Sequence, residues 1–279
     1  MNESASAIRL RMPVEHGAWG LFLVPLLCAA ILAEAWNPAL ALGVVLTLAL
    51  FLLRGSVEAH RALPGSRWAL RAIMLAAPHV LLLTGAVASG LALLFVNRRM
   101  QLLPLGALAL LLFALQQILV RQHQQRPSEK RSLMAELVGV ALLSLAAPAA
   151  WISARGALDA AGARVWLLNL LFFLGGVLYV KYRVRGVLAH REFGGLAERV
   201  EFAWPVFAYH ALLGLFILVL VLQKSLSAAV LAAFAPGMLR AGGLLFHLGR
   251  RFPIRRLGWT EVGHSVLFAV LLILAFRLS

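Results

Sequence analysis

Aspartate occurs once in this chain, at Asp159, and cysteine once, at Cys28. A lone cysteine inside an apolar run excludes a disulfide framework and a thiolate zinc site. Charge of either sign is scarce: 13% of residues are Asp, Glu, Lys or Arg, against about a quarter in an average soluble domain. The sequence has no phosphate-binding Walker loop, dinucleotide fingerprint, Gly-x-Ser-x-Gly elbow or His-Glu-x-x-His pair. What it has in excess is apolar surface, 62% of 279 residues. A globular chain of this size could not hide that much from water, so soluble and disordered classes are excluded.

A membrane helix needs about 20 apolar residues to cross about 30 Å of hydrocarbon. Nine such runs are present, at 17–36, 38–53, 68–96, 101–120, 133–153, 165–183, 202–223, 226–248 and 259–277. The fold class expected is therefore all-α, a single multi-pass membrane domain over residues 1–279. Ala33-Glu34-Ala35 resembles a signal-peptidase site, but the run before it is long enough to span, and Glu15 and His16 directly before that run make a poor signal n-region. The formal charge of +15 comes from 26 Lys and Arg against 11 Asp and Glu. Counting span ends with the connections, 19 of the 26 fall on the side of the N-terminus, 6 on the other, and Arg240 lies within a span. That bias predicts an inner-membrane protein with its N-terminus in the cytosol and its C-terminus outside. It also accounts for the basic composition without nucleic acid as a partner. The stretch Gln122–Arg131 reads as a solvated loop, and the tryptophans near span ends read as interfacial anchors.

Two connections resemble one another. After the second run stands Arg54-Gly-Ser-Val-Glu58-Ala-His60-Arg61, and after the sixth Arg185-Gly-Val-Leu-Ala-His190-Arg191. The Arg-Gly pairs are 131 apart and the Ala-His-Arg triplets 130, and His79 and His210 repeat the spacing of 131. This offset of four spans suggests two four-helix repeats plus a last helix, with both loops facing one cavity from the cytosolic side.

The string Pro13-Val-Glu15-His16-Gly17-Ala18-Trp19-Gly20, with Gly258-Trp259-Thr260-Glu261 before the last span, resembles the YwiC-like family of bacterial membrane proteins. Nine spans with marked loops after the second and sixth are similar in architecture to the UbiA-type intramembrane prenyltransferases. That resemblance implies paired aspartates holding Mg²⁺ on a diphosphate in those loops. Here the loops hold Arg54, Glu58, His60, Lys181, Arg183, Arg185 and His190 instead, and Asp159 falls on the opposite side. Mg²⁺ requires hard carboxylate ligands, so the fold analogy survives without metal chemistry, and neither a metal nor a cofactor is expected.

Glutamates at helix starts and cations at cytosolic span ends are explained by the helix dipole and by orientation. Arg240 is not, because an unpaired charge within a span costs at least about 2.5 kcal/mol; it must meet a carboxylate or an anionic ligand. The Glu261–His264 spacing puts both on one helical face. These residues together predict a ligand site for a membrane lipid or lipid-like anion. Arg54, Arg185 and Arg240 would hold its head, and Glu58, His60, Lys181 and His190 would surround it. Glu15, His16, Glu261 and His264 would orient the cations or move protons. Three other classes stay open at this point: a divergent metal-free transferase, a transporter, and a haem- or quinone-linked subunit using His79 and His210.

Overall fold

Backbone amides inside a bilayer have no water to bond, so each apolar run has to satisfy its own hydrogen bonds as a helix. A computed structural model describes residues 16–61, 77–188, 193, 195–249 and 253–278. Within them every regular element is helical: α1 (His16–Leu32), α2 (Pro38–Arg61), α3 (Ala77–Leu91), α4 (Leu102–Gln125), α5 (Glu129–Ser144), α6 (Ala146–Arg155), α7 (Ala160–Leu188), α8 (Leu196–Leu222), α9 (Ala229–His247) and α10 (Ile254–Arg277). The last turn of α3 continues as a π-helical turn, Ala92–Val96. Helices α5 and α6 form one span from Glu129 to Arg155. They part at Leu145 because Pro148 has no N–H to bond back to Ser144. With α1 as a shorter apolar helix, eight helices are long and apolar enough to cross a membrane. The protein is a polytopic helical bundle.

Several boundaries differ from the hydropathy reading. Helix α1 stops at Leu32, and Glu34 turns out at a φ of 50°. Asn37 then caps α2, its Oδ1 accepting the Leu40 amide at 2.9 Å, with Pro38 in the first helical position. Helix α2 continues to Arg61, past the end of its apolar run. The stretch Gln122–Arg131 is not the loop expected: α4 runs to Gln125 and α5 starts at Glu129, leaving three connecting residues around Pro127. Helical hydrogen bonding is indifferent to polarity, so α4 runs on past its apolar residues until Pro127 stops it. The first part of the third run, 68–76, lies outside the described residues.

Consecutive spans run in opposite directions, and their ends form two polar margins. At one margin Asn37 Nδ2 donates to the Ala154 carbonyl and Arg155 to that of Ala33, tying the α1–α2 and α6–α7 connections together, and Arg164 at the start of α7 donates to the Ser225 carbonyl between α8 and α9. The other margin carries the ends of α2, α4, α7 and α9 and the starts of α5, α8 and α10, and is called here the basic margin. Helix α1 is the hub, touching α2, α5, α6, α7 and α10. It can do so because Phe22, Val24, Leu26, Cys28, Ala29, Ala30 and Ala33 are all buried. Around it α2 packs on α3 and α4 on α5, while α7 packs on α8 and α9 on α10. Outward-facing leucines such as Leu110 and Leu212 stay exposed, as lipid-facing positions must.

One tryptophan is not the interfacial anchor the sequence suggested. Trp151 is buried, and its ring lies 2.6 Å from where a Cβ on Gly162 would stand. It wedges α6 against α7.

Candidate functional site

Three walls, α2, α4 and the α5–α6 span, enclose a groove of about 760 Å³. Along α2 it runs from Leu46 to Val57, along α4 from Leu102 to Phe113, and along α5–α6 from Leu142 to Ala149. Eleven helical steps make it about 16 Å long, parallel to the helices. Its lining is apolar apart from Thr47 and Arg54, and Phe22 and Phe51 stack on one another at 4.5 Å in its floor. Arg54 stands toward the basic margin.

The local sequence explains the presentation of Arg54. Glu58 follows one turn later on α2, and its Oε1 accepts from Arg54 Nε at 2.9 Å. That bond fixes the guanidinium by one edge. On the other edge Nη2 lies 3.8 Å from where a Cβ on Gly139 of α5 would be, and Gln116 Nε2 of α4 is 2.7 Å from the same point. Any side chain at 139 would push one of them away. Two buried polar atoms there, Arg54 Nη1 and Gln116 Oε1, have no hydrogen-bond partner among the described residues. Arg99, Arg199 and Arg240 each keep a buried Nε in the same state, so what sets Arg54 apart is that it lines the groove. A planar fork with one free nitrogen suits a carboxylate or phosphate oxygen.

The other expected cations do not line this groove. Helix α7 divides its charged residues between two faces, as a 3.6-residue repeat requires. Lys181 and Arg185 face α5: Lys181 Nζ meets Glu136 Oε1 at 2.6 Å and Ser132 Oγ at 2.9 Å, and Arg185 pairs with Glu129. Tyr179 and Arg183 turn the other way, toward α9 and α10. Arg240 on α9 finds its carboxylate in the protein itself: Nη1 meets Glu261 Oε1 at 2.5 Å, and the guanidinium lies 4.2 Å above the Tyr179 ring. Gly176 permits this approach, since a Cβ there would stand 3.8 Å from Glu261 Oε2 and 3.9 Å from Arg240 Nη2. His264, one turn beyond Glu261, binds its own Thr260 carbonyl through Nδ1.

The structure thus joins Arg54 with Glu58, and Arg240 with Glu261, and it places these pairs in different halves of the bundle. Glu15 and His190, and the side chains of His16 and His60, lie outside the described residues. The two histidines of the haem reading do not face one another. His79 is buried against Ser56 Oγ at 2.5 Å, whereas His210 bonds the Val206 carbonyl and its Nε2 faces Gly175. Among the described residues no three His, Cys, Asp or Glu side chains converge as a metal ion would need. Sequence reasoning passed over Gly139 and Tyr179. A glycine inside an apolar helix was the available signal for the first; an aromatic beside buried charge leaves none.

Comparison with known proteins adds a family and little chemistry. The family model described as YwiC-like protein matches residues 12–151, which includes the Glu15-His16-Gly17-Ala18-Trp19 string. Over 267 residues the chain is 25% identical to a Bacillus subtilis (strain 168) protein named "Uncharacterized protein YwiC". That alignment covers 94% of this chain and 97% of the relative. No solved structure matches, so the likeness to the UbiA-type enzymes rests on span count and loop position.

Proposed function

The chain belongs to the YwiC-like family, and from the groove that ends on Arg54 we propose that it binds an amphipathic anionic ligand, tail along the apolar walls and head on the guanidinium. The observation that carries this reading is the pairing of an apolar slot with a half-buried arginine that lines it and keeps one nitrogen without a partner among the described residues. Glu58 holds Arg54 in place and the Nη edge does the binding. Orientation by charge bias assigns the basic margin to the cytosol and this head-group site to the inner leaflet side. The remaining cations brace the bundle: Lys181 and Arg185 hold α7 to α5, and Arg240 holds α9 to α10.

Replacing Arg54 separates this site from a mere orientation charge. Insertion reads charge and not geometry, so Arg54→Lys should give a normally inserted protein. Its affinity for phosphatidylglycerol in detergent titration should fall, because Lys lacks the planar fork. Arg54→Leu should abolish the preference for phosphatidylglycerol over phosphatidylcholine. Unchanged preference in both variants would remove Arg54 from any ligand site.

A further inference from the structure

We infer that the groove holds the tail of a bilayer lipid, entering sideways between α2 and α4, and that Gly106 sets the width of the slot. This rests on Arg54 being the head-group site, and it goes further by naming the ligand as a bilayer-resident lipid and not an anion delivered from water.

Three observations carry it. The first is direction. From Arg54 the groove follows α2 back to Leu46, eight helical steps or about 12 Å, and its α4 wall, Leu102–Phe113, is the half of α4 toward the opposite margin. A tail running from Arg54 would therefore lie along the helices, parallel to the chains of the surrounding bilayer, and reach past the middle of the bundle.

The second is where the groove is closed and where it is not. Its floor is dry: Phe51 is 5% exposed, and Leu143 and Ala149 are 8% exposed. Its rim is the reverse, with Leu50 at 51%, Leu103 at 56% and Leu110 at 72%. Helix α4 packs on α5 and α6, and α2 on α1, α3 and α6, so the groove runs between two helices that are each anchored elsewhere. An apolar rim of this kind meets hydrocarbon in a membrane. A water-soluble anion would have to pass polar residues at the margin and would gain nothing from these walls.

The third is Gly106. Glycine inside a helix is disfavoured by about 1 kcal/mol against alanine. A Cβ at 106 would meet nothing within 4 Å, so no protein neighbour demands the glycine. It lines the groove, and the space its missing side chain leaves is space for a tail.

The experiment fills that space. Gly106→Trp and the milder Gly106→Leu should insert and melt like the wild type, since nothing clashes. Gly85→Trp on α3, where a Cβ also meets nothing within 4 Å and no groove residue is altered, is the control. Binding is read by native mass spectrometry of the purified protein titrated with long-chain phosphatidylglycerol, and with a short-chain phosphatidylglycerol carrying the same head. The wild type and the Gly85 variant should retain the long-chain lipid. Gly106→Trp should weaken its binding about ten-fold or more, with Gly106→Leu between. The short-chain lipid should bind poorly to all of them. Wild-type affinity in Gly106→Trp, beside a loss in Arg54→Leu, would overturn the tail slot and leave the head-group reading standing. Equal binding of the two chain lengths would overturn it too, by showing that the head is taken from water. If Arg54→Leu also binds normally, the head-group reading fails with it.

Discussion

Two arginines within the bundle show how the same side chain can meet a carboxylate in different settings. Arg240 has a carboxylate from another helix at 2.5 Å and a tyrosine face beneath it, and its side chain is 10% exposed. Arg54 takes its carboxylate from the next turn of its own helix and stands at the end of the apolar groove; each keeps one buried nitrogen without a partner among the described residues. The consequences of mutation should differ accordingly. Arg240→Leu strands Glu261 in a low-dielectric interior and should cost roughly 3–5 kcal/mol, visible as a lower melting temperature in detergent. Adding Glu261→Leu should recover much of that loss, because an apolar pair replaces a buried ionic one. A melting temperature unchanged by Arg240→Leu would mean that the pair is not formed. No such recovery is available at Arg54, whose removal is expected to affect lipid preference and not folding. The sequence marked Arg240 as needing a partner, since its depth within a span was legible. It could not say whether that partner was protein or ligand, because the choice of Glu261 depends on how α9 and α10 cross.

At the scale of elements, α7 is the organiser of the second half. Its 29 residues carry Gly162 under the Trp151 ring, Gly175 under Tyr209 and His210, Gly176 beside the Arg240–Glu261 pair, and the two cations that reach α5. Gly162→Ala should be costly although it is the smallest possible change. The new methyl would stand 2.6 Å from an indole ring held by α1 and α6, and overpacking of this kind costs about 1–3 kcal/mol. Thermal unfolding should show it, with partial recovery in a Trp151→Phe background. The ion pairs between α7 and α5 are a weaker matter. Glu129 and Glu136 are 77% and 45% exposed at their side chains, and exposed pairs contribute about 0–1 kcal/mol. Glu136→Gln should therefore shift the melting temperature little. The extension of α4 to Gln125 and of α2 to Arg61 was hidden from hydropathy for a simple reason: a helix leaving a membrane keeps its backbone bonds while its side chains turn polar.

The whole molecule is a bundle in which one apolar helix, α1, touches both halves. Its orientation can be read directly. Reporter fusions after Gln125 and after Gly195 should report the cytosol, and one after Gly156 the exterior. A cytosolic signal at Gly156 would reverse the assignment of the head-group site to the inner leaflet. Chelation of divalent metal should leave phosphatidylglycerol binding unchanged, because the residues at Arg54 offer one carboxylate where Mg²⁺ would want several. Binding lost in EDTA and restored by Mg²⁺ would return the diphosphate chemistry of the UbiA-type enzymes to first place.

The sequence by itself determined the solvent and the element type. A run of about 20 apolar residues has only one way to satisfy its amides in hydrocarbon, and that rule needs no knowledge of neighbours. It also carried the family, in the string from Pro13 to Gly20. Which cations meet was decided only by tertiary structure. Arg54, Arg185 and Arg240 look alike as basic residues at one margin, and a single cavity for all three was the economical expectation. Helix packing separates them, because the face each side chain occupies follows from helix rotation and crossing angle, set by the side chains that interlock at each contact. The groove is a property of the same kind. No residue in it is unusual, and its emptiness comes from α4 resting on α5 while α2 rests on α6.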